Sequence, residues 1–494
     1  MNQDTKLSSS VTQTIARAAK WSLLSEISAK LIVPLTNMIL ARILAPEVFG
    51  IIATITMVVS FTDMFTTAGF QKYLVQHEYK SKEELYKGTS VAFWTNLTLS
   101  IFLWACIILL RDPVASFVGN PGYGLAIAVA CFSLPLTSFS SIQEALYTRN
   151  LNYKVLFYNR LIAIFTPIII TIPLALLGLG YWSLIIGTIC GNLAKSINLT
   201  IRSDWKPNLY YSVSLLKEML SFSIWTLFES LALWASTWVD IFIISNQLGS
   251  YYTGLYKNSQ ITVTGIISIV TAATTSVLFS SLSRVQNDDE KFKGIFAAFQ
   301  RNVSIFVLPM GVGIFVFRNL ITQILLGSKW AEASTFIGIW GLCTSLVAVY
   351  GTFCREAYRA KGRPKLSLSA QLLHLAFIVP VCYFGVQKGF NFLIYARSFA
   401  YLQIIVVHLI FLKLFIKISP LQILKTTWAP AAASVLMGAL ALVLKHYSNS
   451  FILDFLAVIL CAVFYFCCLS LVPSYRATLM KYVGKVLPGK KATK

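Results

Sequence analysis

The sequence predicts an all-α polytopic membrane protein of about 14 transmembrane helices. It predicts two parallel, pseudo-twofold-related six-helix bundles followed by two C-terminal helices. Three observations carry this: the composition, the spacing of the apolar runs, and a repeat between the halves. Hydrophobic residues make up 56% of the 494 residues and charged residues 12%, and the mean hydropathy is +0.70. Soluble domains run at about 45–50% apolar and about 25% charged, so the chain lacks the polar cover a soluble fold of this length needs.

Apolar runs of spanning length fall at 19–43, 48–69, 88–110, 122–143, 155–177, 179–199, 219–245, 255–280, 297–318, 332–353, 366–386, 390–412, 428–445 and 451–472. At about 1.5 Å per residue each crosses a hydrocarbon core of about 30 Å. The first 18 residues are polar and no small-residue cleavage signal follows the first run, which reads as an uncleaved span.

Charge orients the bundle. Lys and Arg number 41 and the formal net charge is +22. With alternating spans, most of them fall on the tails and on the loops after even-numbered spans. The other side receives Arg42, Arg111, Lys257, Arg318, Lys329, Lys388 and Lys445, while Lys30, Arg160 and Arg397 lie inside spans. The positive-inside rule places both termini in the cytoplasm. The same rule and contact with anionic lipid account for the excess charge, and no nucleic-acid-reading motif is present. The nine cysteines lie mostly in apolar runs without zinc or redox spacing, so no metal site is expected.

The repeat has an offset of 204 residues. Trp21 matches Trp225, Leu44 matches Leu248, Gly50 matches Gly254 and Lys87 matches Lys291, each lysine following acidic residues. Six spans separate the copies, so both cross in the same sense and the axis runs along the membrane normal. The expected domains are an N-terminal tail (1–18), a first six-helix lobe (19–199), a linker (200–218), a second lobe (219–412), two added spans (413–472) and a basic tail (473–494). Two lobes flanking a cleft are built for alternating access.

The blocks AKWS at 19–22, ILARILAPEVFGIIA at 39–53, FTTAGF at 65–70, LFSSLSRVQNDDEKF at 278–292, LLGSKW at 325–330 and YRAKGRPK at 358–365 resemble one branch of a known superfamily. This is the polysaccharide-transport branch of the multidrug/oligosaccharidyl-lipid/polysaccharide exporters, particularly the colanic-acid and teichuronic-acid type. The resemblance covers roughly residues 15–480. It implies a flippase of the bacterial inner membrane that moves an undecaprenyl-diphosphate-linked repeat unit to the outer leaflet. There the cognate polymerase or a ligase uses it. The expected partners are that lipid-linked glycan, membrane lipids and the polymerase, with the chain acting as a monomer.

Ionisable residues within spans are costly and mark candidate sites. Glu26 and Lys30 share one face of the first span, four residues apart. Either they neutralise each other, or Lys30 faces a diphosphate or acidic sugar with Glu26 tuning it. Glu229 falls near the Glu26 position of the second copy. Asp240 follows Trp234 and Trp238, a pattern that suits sugar stacking as well as packing. Asp63 and Arg160 lie inside the second and fifth spans. Arg397, in the twelfth, has a fork suited to phosphate or uronate. His374 and His408 read as packing residues. The run Arg355, Arg359, Lys361, Arg363 and Lys365 reads as an inner-face anchor or as a capture site for the diphosphate at the cytoplasmic mouth.

No cofactor is expected. No P-loop is present, so a proton or sodium gradient, with Glu26, Glu229 or Asp240 as coupling groups, or consumption of the product outside, is the expected drive. A cation-coupled small-molecule antiporter of the same superfamily is the alternative. A membrane enzyme is disfavoured by the short outer loops, and a scaffold by the intramembrane charges.

Overall fold

The computed structural model describes the backbone of residues 2–67, 69–448 and 450–486. The side chains at 1–16, 19, 23, 27, 31, 67, 221–226, 229, 272, 273, 276 and 481–494 lie outside the described residues, the repeat-marking Trp225 among them. All regular structure among the described residues is helical. In order the helices are α1 (Asn2–Ile43), α2 (Pro46–Thr67), α3 (Phe70–Gln76), α4 (Lys82–Leu109), α5 (Arg111–Phe117), α6 (Gly124–Ala130), α7 (Ser133–Arg149), α8 (Tyr153–Leu176), α9 (Tyr181–Arg202) and α10 (Val213–Arg284). There follow α11 (Asp289–Val316), α12 (Arg318–Leu325), α13 (Ala333–Val347), α14 (Phe353–Ala360), α15 (Lys365–Val386), α16 (Phe390–Tyr401), α17 (Gln403–Phe411), α18 (Pro420–Tyr447), α19 (Phe451–Ser470) and α20 (Pro473–Val486). Short π-helical turns join α13 to α14 and extend α17.

Among the described residues, 12 helices are long and apolar enough to cross a membrane, and each falls on an expected run. The remaining two runs, 219–245 and 255–280, both lie in α10, which breaks at Gly249 (φ 82°, ψ −177°). Only glycine adopts that backbone without strain. Several helices outrun their apolar stretch. α4 begins at Lys82 and α11 at Asp289, with Ser81 and Asp288 accepting the amide of the third residue on. The repeat-matched lysines pair with the acids at these helix starts, Lys87 with Glu83 at 2.7 Å and Lys291 with Asp288 at 2.9 Å. Hydropathy detects only the part of a helix inside hydrocarbon, so these polar turns were invisible to it.

The chain divides into two compact units, 1–265 with 371–397, and 266–370 with 398–494. In the first, Phe93, Trp205, Tyr73 and Met219 form an aromatic-rich core. In the second, α11, α18 and α19 enclose Ile305, Met437 and Tyr465.

Within the first unit, α2 crosses the part of α10 that follows Gly249. A Cβ on Gly50 would overlap the Ser250 carbonyl oxygen, and one on Gly254 would overlap that of Pro46. Ser250 is Pro46 plus 204, just as Gly254 is Gly50 plus 204. The contact is therefore reciprocal under the repeat. Alongside it Asn37 hydrogen-bonds Asn258, and Asn120 reaches Thr54 while Ser245 donates to the Val118 carbonyl at 2.8 Å.

Backbone contact of this kind leaves no room for a side chain, and a large residue there forces the helices apart. Gly254→Leu should lower the thermal stability of the purified protein by about 1–3 kcal/mol or more. Gly294→Leu, with open space around its Cβ, should change it by less than about 1 kcal/mol. Thermal unfolding in detergent measures both.

Candidate functional site: a charged cavity in the first unit

The first unit forms an open-sided cavity of about 640 Å³ between α1, α3, α7, α8 and α9. The register of α9 on α8 builds it. Gly187 faces Thr171, and a Cβ on Gly191 would come within 2.7 Å of Pro167 Cγ. Small residues four apart let the two backbones approach in hydrocarbon. The next position on that face is Lys195, and the matching steps on α8 lead through Ala163 to Arg160. Asn198 donates to Asn159 at 2.9 Å and closes the same ladder.

Glu26, on α1, accepts from Arg160 Nη1 at 2.6 Å. Lys195 pairs with Glu144 Oε1 of α7 at 2.9 Å. Gln71, Lys72 and Gln76 of α3 complete the polar wall. Arg149 holds α3 in place by donating to the Leu74 carbonyl at 2.8 Å and the His77 carbonyl at 2.6 Å. Such carbonyls at a helix C-terminus lack helical partners and carry partial negative charge. Trp21, the repeat landmark, packs on Phe157 and Tyr158 with ring centroids 5.1 and 5.9 Å away. Two cations held by nearby carboxylates in one cavity, with amide and hydroxyl groups around them, can exchange those carboxylates for another oxyanion.

The family model described as "Polysaccharide biosynthesis protein" matches residues 39–335, more than half of the chain. The chain belongs to the polysaccharide biosynthesis protein family. It is 25% identical over 341 residues to the succinoglycan biosynthesis transport protein ExoT of Rhizobium meliloti (strain 1021), covering 69% of this chain and 68% of that one. It is 23% identical over 379 residues to the lipopolysaccharide biosynthesis protein WzxC of Escherichia coli (strain K12), covering 75% of each. Among solved structures, the lipid II flippase MurJ in an inward closed conformation superposes with a TM-score of 0.77 at 15% identity. That match covers 93% of this chain and 100% of the other. The fold is thus the MurJ-type all-α membrane architecture.

The other expected site residues of this family member fall elsewhere. Asp240 and Arg397 meet in the interior of the first unit, where Arg397 Nε and Nη2 lie 3.3 and 3.2 Å from Asp240 Oδ2. Tyr256 donates to the same oxygen at 2.6 Å. With side-chain exposures of 2% and 6%, the pair does not reach solvent. Trp234 donates to Ser60 Oγ at 3.1 Å, and Lys257 stands 4.2 Å over the Trp238 ring. Asp63 accepts from Thr137 at 3.0 Å. Lys30 lies four residues beyond Glu26 and, among the described residues, forms no ion pair. Glu229's side chain lies outside the described residues.

In the second unit, Lys361 bridges to Asp289 and to the Gln286 carbonyl, both at 2.6 Å. Arg363 donates to the Phe415 carbonyl at 2.9 Å, and Arg359 pairs with Glu356 at 3.4 Å. Arg355 and Lys365 are exposed. His408 meets the Tyr358 hydroxyl at 3.1 Å in a buried contact, as a packing residue does. Lys195 and Glu144 were missed because each lies at the end of an apolar run and reads as flanking charge. The GTICG spacing at 187–191 was the one available signal that this face of α9 meets another helix.

Removing one member of a buried ion pair strands the other. Asp240→Leu should destabilise the protein by about 3–5 kcal/mol, and adding Arg397→Met should recover most of that loss. Thermal unfolding of the two single variants and the double variant measures the coupling.

Proposed function

We propose that the chain moves a polyprenyl-diphosphate-linked oligosaccharide across the bacterial inner membrane, from the cytoplasmic to the outer leaflet. The cavity of the first unit receives the diphosphate and its first sugar. One observation carries this reading: Arg160 and Lys195 face a cavity of about 640 Å³ at the end of the bundle that the Lys and Arg distribution assigns to the cytoplasm. Guanidinium and ammonium groups there replace part of the hydration that the phosphates lose. The aromatic group of Trp21, Phe157 and Tyr158 lies on α1 and α8, the helices that carry Glu26 and Arg160.

The second unit holds an apolar cavity of about 550 Å³ lined by residues such as Phe306, Met310, Phe455 and Tyr465, a surface suited to a prenyl chain. The relatives named for succinoglycan and lipopolysaccharide biosynthesis support a glycan cargo. At the far end of α2, the Gly50–Gly254 contact keeps the first unit closed, and the outward step separates it. The two lobes at 19–199 and 219–412 carry out this movement with both termini in the cytoplasm. A proton or sodium gradient, or consumption of the product outside, gives direction. The buried Asp240–Arg397 pair holds two helices together rather than meeting cargo.

The test is the lipid-linked glycan pool of a strain lacking the protein, resolved by leaflet and identified by mass spectrometry. Complete repeat units should accumulate facing the cytoplasm. The wild-type chain should restore export, and Arg160→Ala with Lys195→Ala should lower it by about tenfold or more. Normal outer-leaflet units in the deletion strain would contradict the assignment.

A further inference from the structure

The cavity already holds two carboxylates on the cations that the proposed cargo's phosphates would engage. Glu26 Oε1 lies 2.6 Å from Arg160 Nη1, a distance and donor type that match a phosphate oxygen on the same guanidinium. Both side chains are nearly half exposed, at 47% for Glu26 and 42% for Arg160, so the pair opens into the cavity instead of being sealed by packing. Glu144 holds Lys195 in the same way. Tyr153 of α8 and Lys72 of α3 complete the titratable groups facing the cavity. Lys30 stands one helical turn beyond Glu26 on the same face of α1.

From this arrangement we propose that Glu26 is a resident stand-in for the anionic group of the cargo. It occupies Arg160 in the empty protein and transfers to Lys30 when a diphosphate takes its place. The inference rests on the reading of this cavity as the headgroup site. Its physical logic is that Arg160 keeps an anionic partner both with and without cargo. A guanidinium left without an anion in this partly desolvated cavity would be disfavoured when the unloaded protein returns. With Glu26 on Arg160 the guanidinium keeps an anionic partner in the unloaded form. With Glu26 on Lys30 the loaded form leaves no bare carboxylate. Lys30 is then a positioning residue that acts through Glu26 and does not touch the cargo.

The test is isothermal titration calorimetry of the full chain in lipid nanodiscs. The probe is a short-chain prenyl diphosphoryl N-acetylglucosamine, whose doubly substituted diphosphate holds its charge across neutral pH. Glu26→Gln should tighten binding by about tenfold, since the competitor is gone. Lys30→Gln should weaken binding several-fold in the wild-type background and leave it unchanged in the Glu26→Gln background. The heat of binding should not vary with the ionisation enthalpy of the buffer. Three results would overturn the proposal. Glu26→Gln could weaken binding. Lys30→Gln could act equally in both backgrounds, as a direct cargo contact does. Buffer-dependent heat could show the freed carboxylate taking up a proton in place of Lys30. Glu26→Gln is isosteric and neither position is fully buried, so both variants should keep the fold, which melting temperatures of the same samples verify. Failure of the underlying site reading looks different: Arg160→Ala and Lys195→Ala would then bind the probe as the wild-type chain does.

Discussion

The contact of Gly50 with Gly254 brings the two copies of the repeat together backbone against backbone, and much of the first unit depends on it. Helices in a bilayer gain little from burying apolar side chains, because lipid is equally apolar. Close backbone packing and polar contacts have to supply association. Gly50 and Gly254 provide the first, with backbone oxygens of Ser250 and Pro46 where side chains would otherwise stand. Asn37, Asn258, Asn120 and Ser245 provide the second. The same combination recurs on α9, where Gly187 and Gly191 bring the backbone against α8 and Asn198 meets Asn159.

This packing decides where charge can reside. The α8–α9 register carries Arg160 and Lys195 to one cavity, and α1 and α7 bring a carboxylate to each. Asp240 and Arg397 show the contrasting use of charge. Their environment is closed and Tyr256 completes the carboxylate's hydrogen bonding, so the pair specifies an internal joint. Exposure distinguishes the two cases: nearly half of each side chain for Glu26 and Arg160, a few per cent for Asp240 and Arg397.

Much of the fold was legible in the sequence because it follows from hydropathy. The apolar runs mark the hydrocarbon-crossing parts of the helices, and the glycine match at an offset of 204 marks a real crossing. The site was legible only in part. Glu26 and Lys30 sit at a spacing that invites a local pair, yet Arg160, 134 residues away, holds Glu26. Nothing in local spacing reveals which helix will stand opposite. Asp240 and Arg397 are 157 residues apart and each alone looked like a cargo contact. Glu144 and Lys195 lie where a span meets its loop, and position alone does not separate an anchoring charge from one turned into a cavity. The basic run at 355–365 was visible as a cluster, whereas the engagement of Lys361 by Asp289 and of Arg363 by a backbone carbonyl depends on tertiary approach.

In the proposed cycle, transport requires the two repeat copies to separate at the Gly50–Gly254 end. The direct measurement uses Asn37→Cys and Asn258→Cys, whose parent side chains are hydrogen-bonded to each other. Cys106, Cys190, Cys467 and Cys468, the cysteines not fully buried, are replaced. The engineered pair is joined by a short reducible thiosulfonate cross-linker in proteoliposomes, and movement of a labelled lipid-linked oligosaccharide between leaflets is followed. The account predicts that the cross-linked protein does not transport and that reduction restores the rate of the untreated sample. Undiminished transport by fully cross-linked protein would contradict it.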